Sequence, residues 1–538
     1  MSRTPGRRSA PVRGGRLGGT RMHRSAKGRQ PARMSSMTHG GESPEPIRVL
    51  DLFAGCGGLT EGFHQFRAVP GGPPVFRTVG AVEWDTAAAA TYAMNFAAGS
   101  PRVTGGATPK VYCRDIVGWD PTEELGDIDV VVGGPPCQGF SGLNRNRVRA
   151  ERNTLWQEFI RVVEHVQPRI FVIENVDRFV RSPEFADLQA RMGKDKLSDY
   201  RLASPTGTYS EHIDPDLARR YLLNAADYGA RQARRRAIVI GVRDDGSAGA
   251  ADFRYPEPTH IRSRGGFDLD VGPRRPWRTA DEVFDATMRK TPTATDFDGG
   301  QELSDLAREI LGRDAPAFRT GELHITRRPE PVSRARYRAI PPGGNRKDLR
   351  GRYRCTFEDG SDEVIVEKSD DFRDTNGELL VDGRYRVVEN GAPGSRELNI
   401  TVDAESVPPV PQSGRHRTES FRVDVKDGRH LRRAELEYLS TVVWDGHDAG
   451  SGDVMGRLRL GAPSVTIRTE FFKPEKGRYL HPTEDRPITH YEAALLQGFP
   501  EDFLWCGSKT DVAKQIGNAV PIALGTKVAE AIHAFLQA

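Results

Sequence analysis

A chain of 538 residues is too long for one hydrophobic core, and 37% hydrophobic with 28% charged residues is the composition of an ordinary globular protein. The formal net charge of +4 is too small to name a partner, and no run of about 18 apolar residues is present to cross a membrane. Five scattered cysteines without a CxxC pair exclude a zinc-site spacing and suit free thiols in a reducing cytoplasm.

Residues 1–46 are rich in Arg, Gly, Ser and Pro, with Glu42 and Glu45 as their acids, and no apolar stretch follows that would make a secretory signal. They read as a disordered basic tail. From Ile47 strands and helices alternate. "IRVLDLFA" is a buried strand, "GCGG" a turn and "LTEGFHQF" the start of a helix. "TVGAVEWD" is a second strand, followed by the helix "TAAAATYAMNFA". "KVYCRDI" and "IDVVVGG" are strands three and four. The next helix begins near "NTLWQEF", where Thr154 and Gln157 have capping-box spacing and Leu155, Phe159, Val162, Val163 and Val166 form one apolar stripe. Pro168 ends it. "RIFVIENV" and "RAIVIGVR" are further strands. The alternation predicts an α/β domain: a parallel sheet with helices on both faces and sites at the carboxyl ends of its strands.

Residues 245–480 break that rhythm with many Pro and Gly residues. The stretch 324–354 carries ten Lys/Arg against Glu330 and Asp348, whereas 351–410 carries fourteen Asp/Glu against seven Lys/Arg. Hairpin turns are expected at Asp359-Gly360, Asn376-Gly377, Asp382-Gly383 and Asn390-Gly391. This region reads as a separate β-rich domain with an acidic insertion. A helix resumes at "PITHYEAALLQGFPEDF", with Thr489 and Glu492 as a capping box and Gly498 at its C-terminal end. "GNAVPIALGTKVAEAIHAFL" closes the chain with a helix, Pro521 sitting near its first turn. Its Ile522, Val528, Ile532 and Phe535 are expected to pack back on the first domain.

The chemistry concentrates at strand ends. The Gly-rich turn "DLFAGCGG" lets a ligand approach backbone closely, although alone it is equally a structural turn. Glu83 ends strand two, where an acid commonly accepts hydrogen bonds from ribose hydroxyls. Asp115 follows strand three. Together these three features suggest one adenosine-containing cofactor across the sheet edge. In "VVVGGPPCQGFSG" (130–142), two glycines clear space and Pro135 and Pro136 stiffen the backbone before Cys137. A buried hydrophobe is the expectation for Cys56, Cys113, Cys355 and Cys506. For Cys137, in such a loop, a nucleophile is the better reading, and its thiol needs local help to react at neutral pH. Glu174 ends "VIEN", either as a helix cap or as an acid in the same cleft. Arg231 to Arg236 is either a solvated run or an extended segment with Arg234 and Arg236 on one face.

The ordered set "DLFAGCGG", "EWD", "RDI", "GGPPCQGFS", "RNTL", "ENV", "QARRRAIVIG", "DRPITHYEAALLQGFP" and "GNAVP" resembles the motifs of the cytosine-C5 DNA methyltransferases. The resemblance covers about residues 47–243 and 481–537, and the intervening region matches loosely, as the family's variable target-recognition domain does. It implies a Rossmann-like class I methyltransferase sheet with a smaller β-rich recognition domain. The implied layout is a tail (1–46), a catalytic and cofactor-binding domain (47–244), a recognition domain (245–480) with an acidic insertion around 351–410, and a closing segment (481–538).

By the same resemblance Cys137 attacks C6 of the target cytosine and Glu174 contacts the base edge at N3. Arg236, with Arg234, orients the base and nearby backbone. C5 then accepts the methyl group of S-adenosyl-L-methionine. Phe53, Gly55 and Gly58 are implied at the methionine end of that cofactor, Glu83 at the ribose, Trp84 and Asp115 with Ile116 at the adenine, Pro135 beside it, and Asn518 and Val520 closing the pocket. No metal is implied. The partner implied is double-stranded DNA with its target base flipped out, the basic stretch 324–354 touching phosphates and the acidic stretch turned away. The resemblance also implies a monomer in the bacterial cytoplasm, working beside a restriction endonuclease or another defence protein. Two rival readings are an RNA cytosine methyltransferase of the tRNA-acting branch, which the long recognition region disfavours, and a silent DNA-binding regulator, which the intact Cys137, Glu174 and Arg236 disfavour.

Overall fold

The computed structural model describes residues 45–103, 107–121, 123–136, 155–205, 219–244, 252–262, 273–288, 299–371, 378–389, 391–402, 419–446 and 453–538, with the single positions 216, 246, 249, 292, 296, 297 and 373. The basic tail up to residue 44, Cys137, Thr154, Asn376-Gly377 and Asn390 lie outside the described residues.

Eight strands form the central sheet: β1 (Ile47–Leu52), β2 (Phe76–Glu83), β3 (Lys110–Cys113), β4 (Val130–Gly133), β5 (Ile170–Asn175), β6 (Tyr200–Leu202), β7 (Leu222–Asn224) and β8 (Arg235–Arg243). Their order is β3-β2-β1-β4-β5-β8-β6, with β7 also paired to β8. The first five run parallel, but β8 is antiparallel to β5, and β6 and β7 are antiparallel to β8. The expected all-parallel sheet is therefore a mixed one. The apolar run "AIVIGV" is what burial on both faces demands, and such a run carries no record of strand direction. The reversal has a consequence for the site. It brings the start of β8, rather than its end, to the edge where β5 finishes, pairing Ala237 with Asn175 and Ile238 with Glu174.

Successive residues of each strand feed opposite cores. Val130, Val132, Ile170 and Val172 face Leu59, Phe63, Leu524, Val528 and Ile532. Val131, Phe171 and Ile173 face Trp156, Phe159, Ile160 and Val163. These partners belong to α1 (Gly58–Gln65) and the closing helix Ile522–Leu536 on one side, and to α3 (Leu155–Val166) on the other; α2 (Thr86–Phe96) lies between β2 and β3 in the chain. The closing helix crosses α1 where two glycines meet: a Cβ on Gly62 would lie 2.9 Å from the Gly525 backbone. Val528 and Ile532 are buried there, and Phe535 packs partly buried beside them. That helix starts at Ile522, with Pro521 at its N-cap. Asn518 ends a separate helix, Lys509–Asn518, and the two meet at a bend of 41°. No single described helix is long and apolar enough to cross a membrane.

Beyond β8, two short ladders join β9 (His260–Ile261) to β10 (Arg275–Pro276) and β11 (Phe318–Arg319) to β18 (Leu504–Trp505). Between them β12 (Arg352–Phe357), β13 (Glu363–Lys368), β14 (Gly383–Glu389), β15 (Ala392–Val402), β16 (Ser420–Asp427) and β17 (His430–Tyr438) close a barrel in sequential order. Its interior holds Tyr353, Cys355, Phe357, Val366, Tyr385, Leu398, Ile400, Val425 and Leu436. The helix Pro331–Ala339 covers one outer side, where Ala335, Tyr337 and Ile340 cluster with Ile365 and Val388. Gly360 and Gly391 turn two of the hairpins with φ of +69° and +75°. Gly383 instead opens β14, and Asp427-Gly428 (Gly428 φ +58°) makes a β16–β17 turn that the sequence reading overlooked.

Part of the charge along 324–410 is paired within the barrel and its covering helix. Arg352 pairs with Glu367 at 2.7 Å, Arg354 with Glu363 at 2.7 Å and Glu437 at 3.2 Å, and Arg432 with Asp359 at 2.9 Å. Arg336 and Arg350 donate to the Leu439 and Asp445 carbonyls, and Arg338 reaches Asp485 and Glu363. Much of the basic stretch thus holds the barrel in place, while Arg327 and Arg328 are among its exposed cations.

The helix His490–Gln497 returns the chain to the sheet. Thr489 and Glu492 form the capping box, and Gly498 caps the end at φ +95°. The Glu492 carboxylate also takes Arg486 at 2.7 and 2.9 Å. Burial alone would raise this carboxyl; the hydrogen bonds and charge of Arg486 outweigh it and hold the group below its usual value. His481 and His490 are buried alongside, and burial pushes both imidazoles down to about 4 from an ordinary 6.5. The unfolded chain therefore binds protons that the folded chain refuses between pH 6.5 and 4. Stability is complete above the upper limit and falls as pH drops through that window. A gap of about 2.5 pH units at about 1.36 kcal/mol per unit makes each ring worth about 3 kcal/mol. Unfolding midpoints measured from pH 7 to 4 are expected to fall steeply. His481→Gln or His490→Gln should flatten the slope, and an unchanged slope in both variants would refute this origin.

Candidate functional site

The parallel register lines up five carboxyl ends. Leu52 pairs with Gly133, Gly133 with Ile173, and Glu83 with Cys113. The turn after β1 is the sharpest feature of this edge. Phe53, Gly55 and Gly57 have φ of +55°, +56° and +89°. A left-handed phenylalanine is strained, and it persists where its surroundings hold it. The holding group is Glu83: its Oε2 accepts the Gly55 N–H at 2.8 Å, and its Oε1 accepts the Asp85 N–H at 2.8 Å. Burial raises the Glu83 carboxyl, with those backbone hydrogen bonds opposing. Asp85 in turn caps α2 by accepting from Ala88 at 3.0 Å. The "VEWD" motif therefore fixes a loop and starts a helix, while leaving Trp84 68% exposed.

Asp115 accepts from the Val117 N–H at 3.0 Å, and Ile116 is buried in the core below. Val117 is 56% exposed. Trp84 and Val117 thus leave apolar surface uncovered at neighbouring strand ends, beside an acid whose oxygens retain lone pairs. Space is also open above the turn, since a Cβ on Gly55 would meet nothing within 4 Å. From the other side the segment between the last two helices closes in: a Cβ on Gly58 would lie 3.0 Å from Ala519 Cβ and 3.2 Å from the Val520 carbonyl. Asn518 is exposed and Val520 buried. The structure thus gathers Phe53, Gly55, Gly58, Glu83, Trp84, Asp115, Ile116, Asn518 and Val520 around one edge. An apolar ring face, a buried acceptor and an open glycine turn fit a nucleoside-containing cofactor.

The second half of the edge centres on Glu174. It is 9% exposed, and Arg236 Nε approaches its Oε1 at 2.7 Å. That approach is an ion pair out of line for a hydrogen bond, and the buried Oε1 has no hydrogen-bond partner among the described residues. Gly134 leaves room beside it: a Cβ there would lie 2.9 Å from Glu174 Oε2 and would push the carboxyl group aside. Asn175 Nδ2 donates to the Pro135 carbonyl at 2.9 Å. The root of the loop that continues into Cys137 is therefore pinned directly over Glu174. Of the described thiols, Cys56, Cys355 and Cys506 are buried, and burial pushes each well above its ordinary value. Cys113 is raised as well, also by burial first.

Arg234 goes elsewhere. Its guanidinium is 2% exposed and donates to the Ile467 carbonyl at 2.8 Å and the Gly517 carbonyl at 2.9 Å. Three buried groups have tasks that the sequence does not show. Asp51, at the end of β1, accepts from Thr60 Oγ1 at 2.6 Å, and Thr60 meets Tyr92 OH at 2.9 Å. Burial pushes the Asp51 carboxyl up to about 7. Gln232 bonds Gln497 and the Ile467 N–H, both at 2.8 Å. Asn175 was legible as part of "ENV", but its task of holding Pro135 was not.

A family model described as C-5 cytosine-specific DNA methylase matches residues 47–266 and 371–534. DNA (cytosine-5)-methyltransferase 1 of Gallus gallus is 27% identical over 530 residues, covering 91% of this chain and 30% of its own length. The Mus musculus protein of that name is 28% identical over 527 residues, covering 90% and 28%. The chain thus spans less than a third of these relatives. Type II methyltransferase M.AgeI of Thalassovita gelatinovora is 27% identical over 493 residues and is covered over 99% of its length, with 90% of this chain.

Proposed function

We propose that this chain, which belongs to the C-5 cytosine-specific DNA methylase family, transfers a methyl group from S-adenosylmethionine to C5 of a cytosine in duplex DNA. The observation that carries the reading is Glu174: a buried carboxyl group paired with Arg236 at 2.7 Å, one oxygen without a hydrogen-bond partner among the described residues, set beneath the start of the loop that leads to Cys137. The full-length likeness to a type II methyltransferase supports a modification role in a restriction-modification or related defence setting.

Bound S-adenosylmethionine supplies an electrophilic methyl group. Glu83 would take the ribose, Trp84, Asp115 and Ile116 the adenine, and Phe53, Gly55 and Gly58 the methionine end. Pro135, Asn518 and Val520 would enclose it. The target cytosine must leave the duplex stack, at a cost of a few kcal/mol recovered in the pocket. Cys137 then adds to C6 as a thiolate. The Glu174 carboxyl group passes a proton to N3, which offsets the negative charge that addition places on the ring, while Arg236 fixes the direction of that side chain. Addition at C6 makes C5 nucleophilic enough to accept a methyl group. Loss of the C5 proton to a base expels Cys137 and restores the ring.

The test is transfer of labelled methyl groups to unmethylated duplex DNA and, in parallel, to tRNA. Label at C5 of cytosine in the duplex is expected; label in tRNA alone would overturn the substrate. For the cofactor site, Glu83→Ala removes both the ribose acceptor and the tether of Gly55. Lost charge-assisted hydrogen bonds of about 1.5–3 kcal/mol predict binding of S-adenosylhomocysteine weakened by about 10- to 100-fold in calorimetry. Unchanged affinity would remove Glu83 from the site.

A further inference from the structure

We propose that Gln232 and Arg234 are positioning residues that lock the recognition segment 464–469 to the cofactor-closing segment 516–520, so that duplex DNA and cofactor reinforce each other's binding. The inference rests on the DNA-methyltransferase reading above.

Three buried side chains make the lock. Arg234 spans the two segments with one guanidinium, Nη1 on the Ile467 carbonyl and Nη2 on the Gly517 carbonyl. Gln232 accepts the Ile467 N–H with its Oε1 and donates through Nε2 to Gln497. Gln497 carries the connection onward by donating to the Ile516 carbonyl at 2.5 Å. Backbone ties add to it: Ala233 N donates to the Ser464 carbonyl at 2.9 Å, and Ser464 N to the Arg231 carbonyl at 2.8 Å. The segments also touch directly. A Cβ on Gly517 would lie 2.4 Å from the Thr469 nitrogen and 2.5 Å from the Arg468 carbonyl carbon, so only glycine allows the approach.

The two ends of this lock are functional surfaces. Asn518 and Val520 close the cofactor edge immediately after Gly517. The segment 464–469 lies in the recognition region, is bridged to Gln232 two residues before Arg234, and ends near the exposed Arg468. Arg236, two residues on, holds Glu174. A buried guanidinium keeps both carbonyl partners of its Nη atoms only when both segments are seated, and losing either would add to the Nε that already lacks a partner among the described residues. A ligand that orders either segment therefore lowers the cost of ordering the other, and this coupling acts equally in both directions. Arg234 accordingly acts through its neighbours and does not orient the base itself.

Calorimetric binding of S-adenosylhomocysteine, with and without sheared unmethylated duplex DNA, reads the coupling as a ratio of affinities. The wild-type chain is expected to bind about tenfold more tightly with DNA present. Arg234→Met and Gly517→Ala should bring the ratio to within about twofold of one, the limit of weak coupling. Arg457→Met should keep it, because that buried arginine binds carbonyls of Ile340 and His481 and not the two segments. If Arg234→Met does not fold, Gly517→Ala reads the same contact from the other side. In the wild-type chain, S-adenosylhomocysteine alone should also slow hydrogen exchange at the Ile467 amide. A wild-type ratio of one, a full ratio in the folded clamp variants, or unchanged exchange at Ile467 would overturn the lock. A wild-type chain that binds neither S-adenosylhomocysteine nor DNA would instead count against the proposed function.

Discussion

Cys137→Ser is expected to reduce methyl transfer to duplex DNA by about 10^4-fold or more, the scale of removing a covalent nucleophile, while cofactor and DNA binding persist. A hydroxyl is a poorer nucleophile than a thiolate toward C6, and it is also a poorer group to expel when the ring is restored. The other thiols cannot substitute. Cys56, Cys355 and Cys506 are buried, and their raised pKa values keep them as neutral thiols. Steady-state transfer assays, paired with calorimetry for S-adenosylhomocysteine, separate lost chemistry from lost binding. Residual turnover within about tenfold of wild type would be incompatible with covalent nucleophilic catalysis by Cys137.

The second large effect belongs to Glu174. Glu174→Gln keeps the shape of the side chain and its room beside Gly134 but removes the carboxyl group that can pass a proton to N3. The amide cannot transfer a proton to N3, so the negative charge that addition at C6 puts on the ring is left without neutralisation. A general acid-base contribution of this kind predicts kcat lowered by about 10^2- to 10^4-fold, with a smaller change in KM for DNA because duplex contacts outside the pocket are untouched. Single-turnover rates are the measure. An equal loss in kcat and in cofactor affinity would mean that Glu174 supports the fold of the edge and not the chemistry.

Local order was readable wherever a short motif and a strand end coincide. "DLFAGCGG" and "EWD" announce their turn and acid, because a glycine turn needs few neighbours to be recognised. The capping box of Thr489 and Glu492 is visible for the same reason. Strand direction was not visible: β8 is as apolar as a parallel strand, and only its pairing with β5 shows the reversal that delivers Arg236 to Glu174. Long-range partners were hidden most. Arg234 and Arg236 alternate as a base-orienting pair would, yet the acceptors of Arg234 lie 233 and 283 residues further along the chain. The acidic stretch was similarly opaque, since its pairing with Arg352, Arg354 and Arg432 exists only once the barrel closes.

The central claim is that a thiol in the "GGPPCQGFS" loop adds to a cytosine held over Glu174. Duplex DNA carrying 5-fluorocytosine tests it most directly, because fluorine at C5 cannot leave as a proton does and the adduct persists after methyl transfer. With S-adenosylmethionine present, the account predicts a denaturation-resistant protein–DNA complex whose attachment maps by mass spectrometry to Cys137. Folded, cofactor-competent protein that forms no such complex, or one attached through another residue, would contradict it.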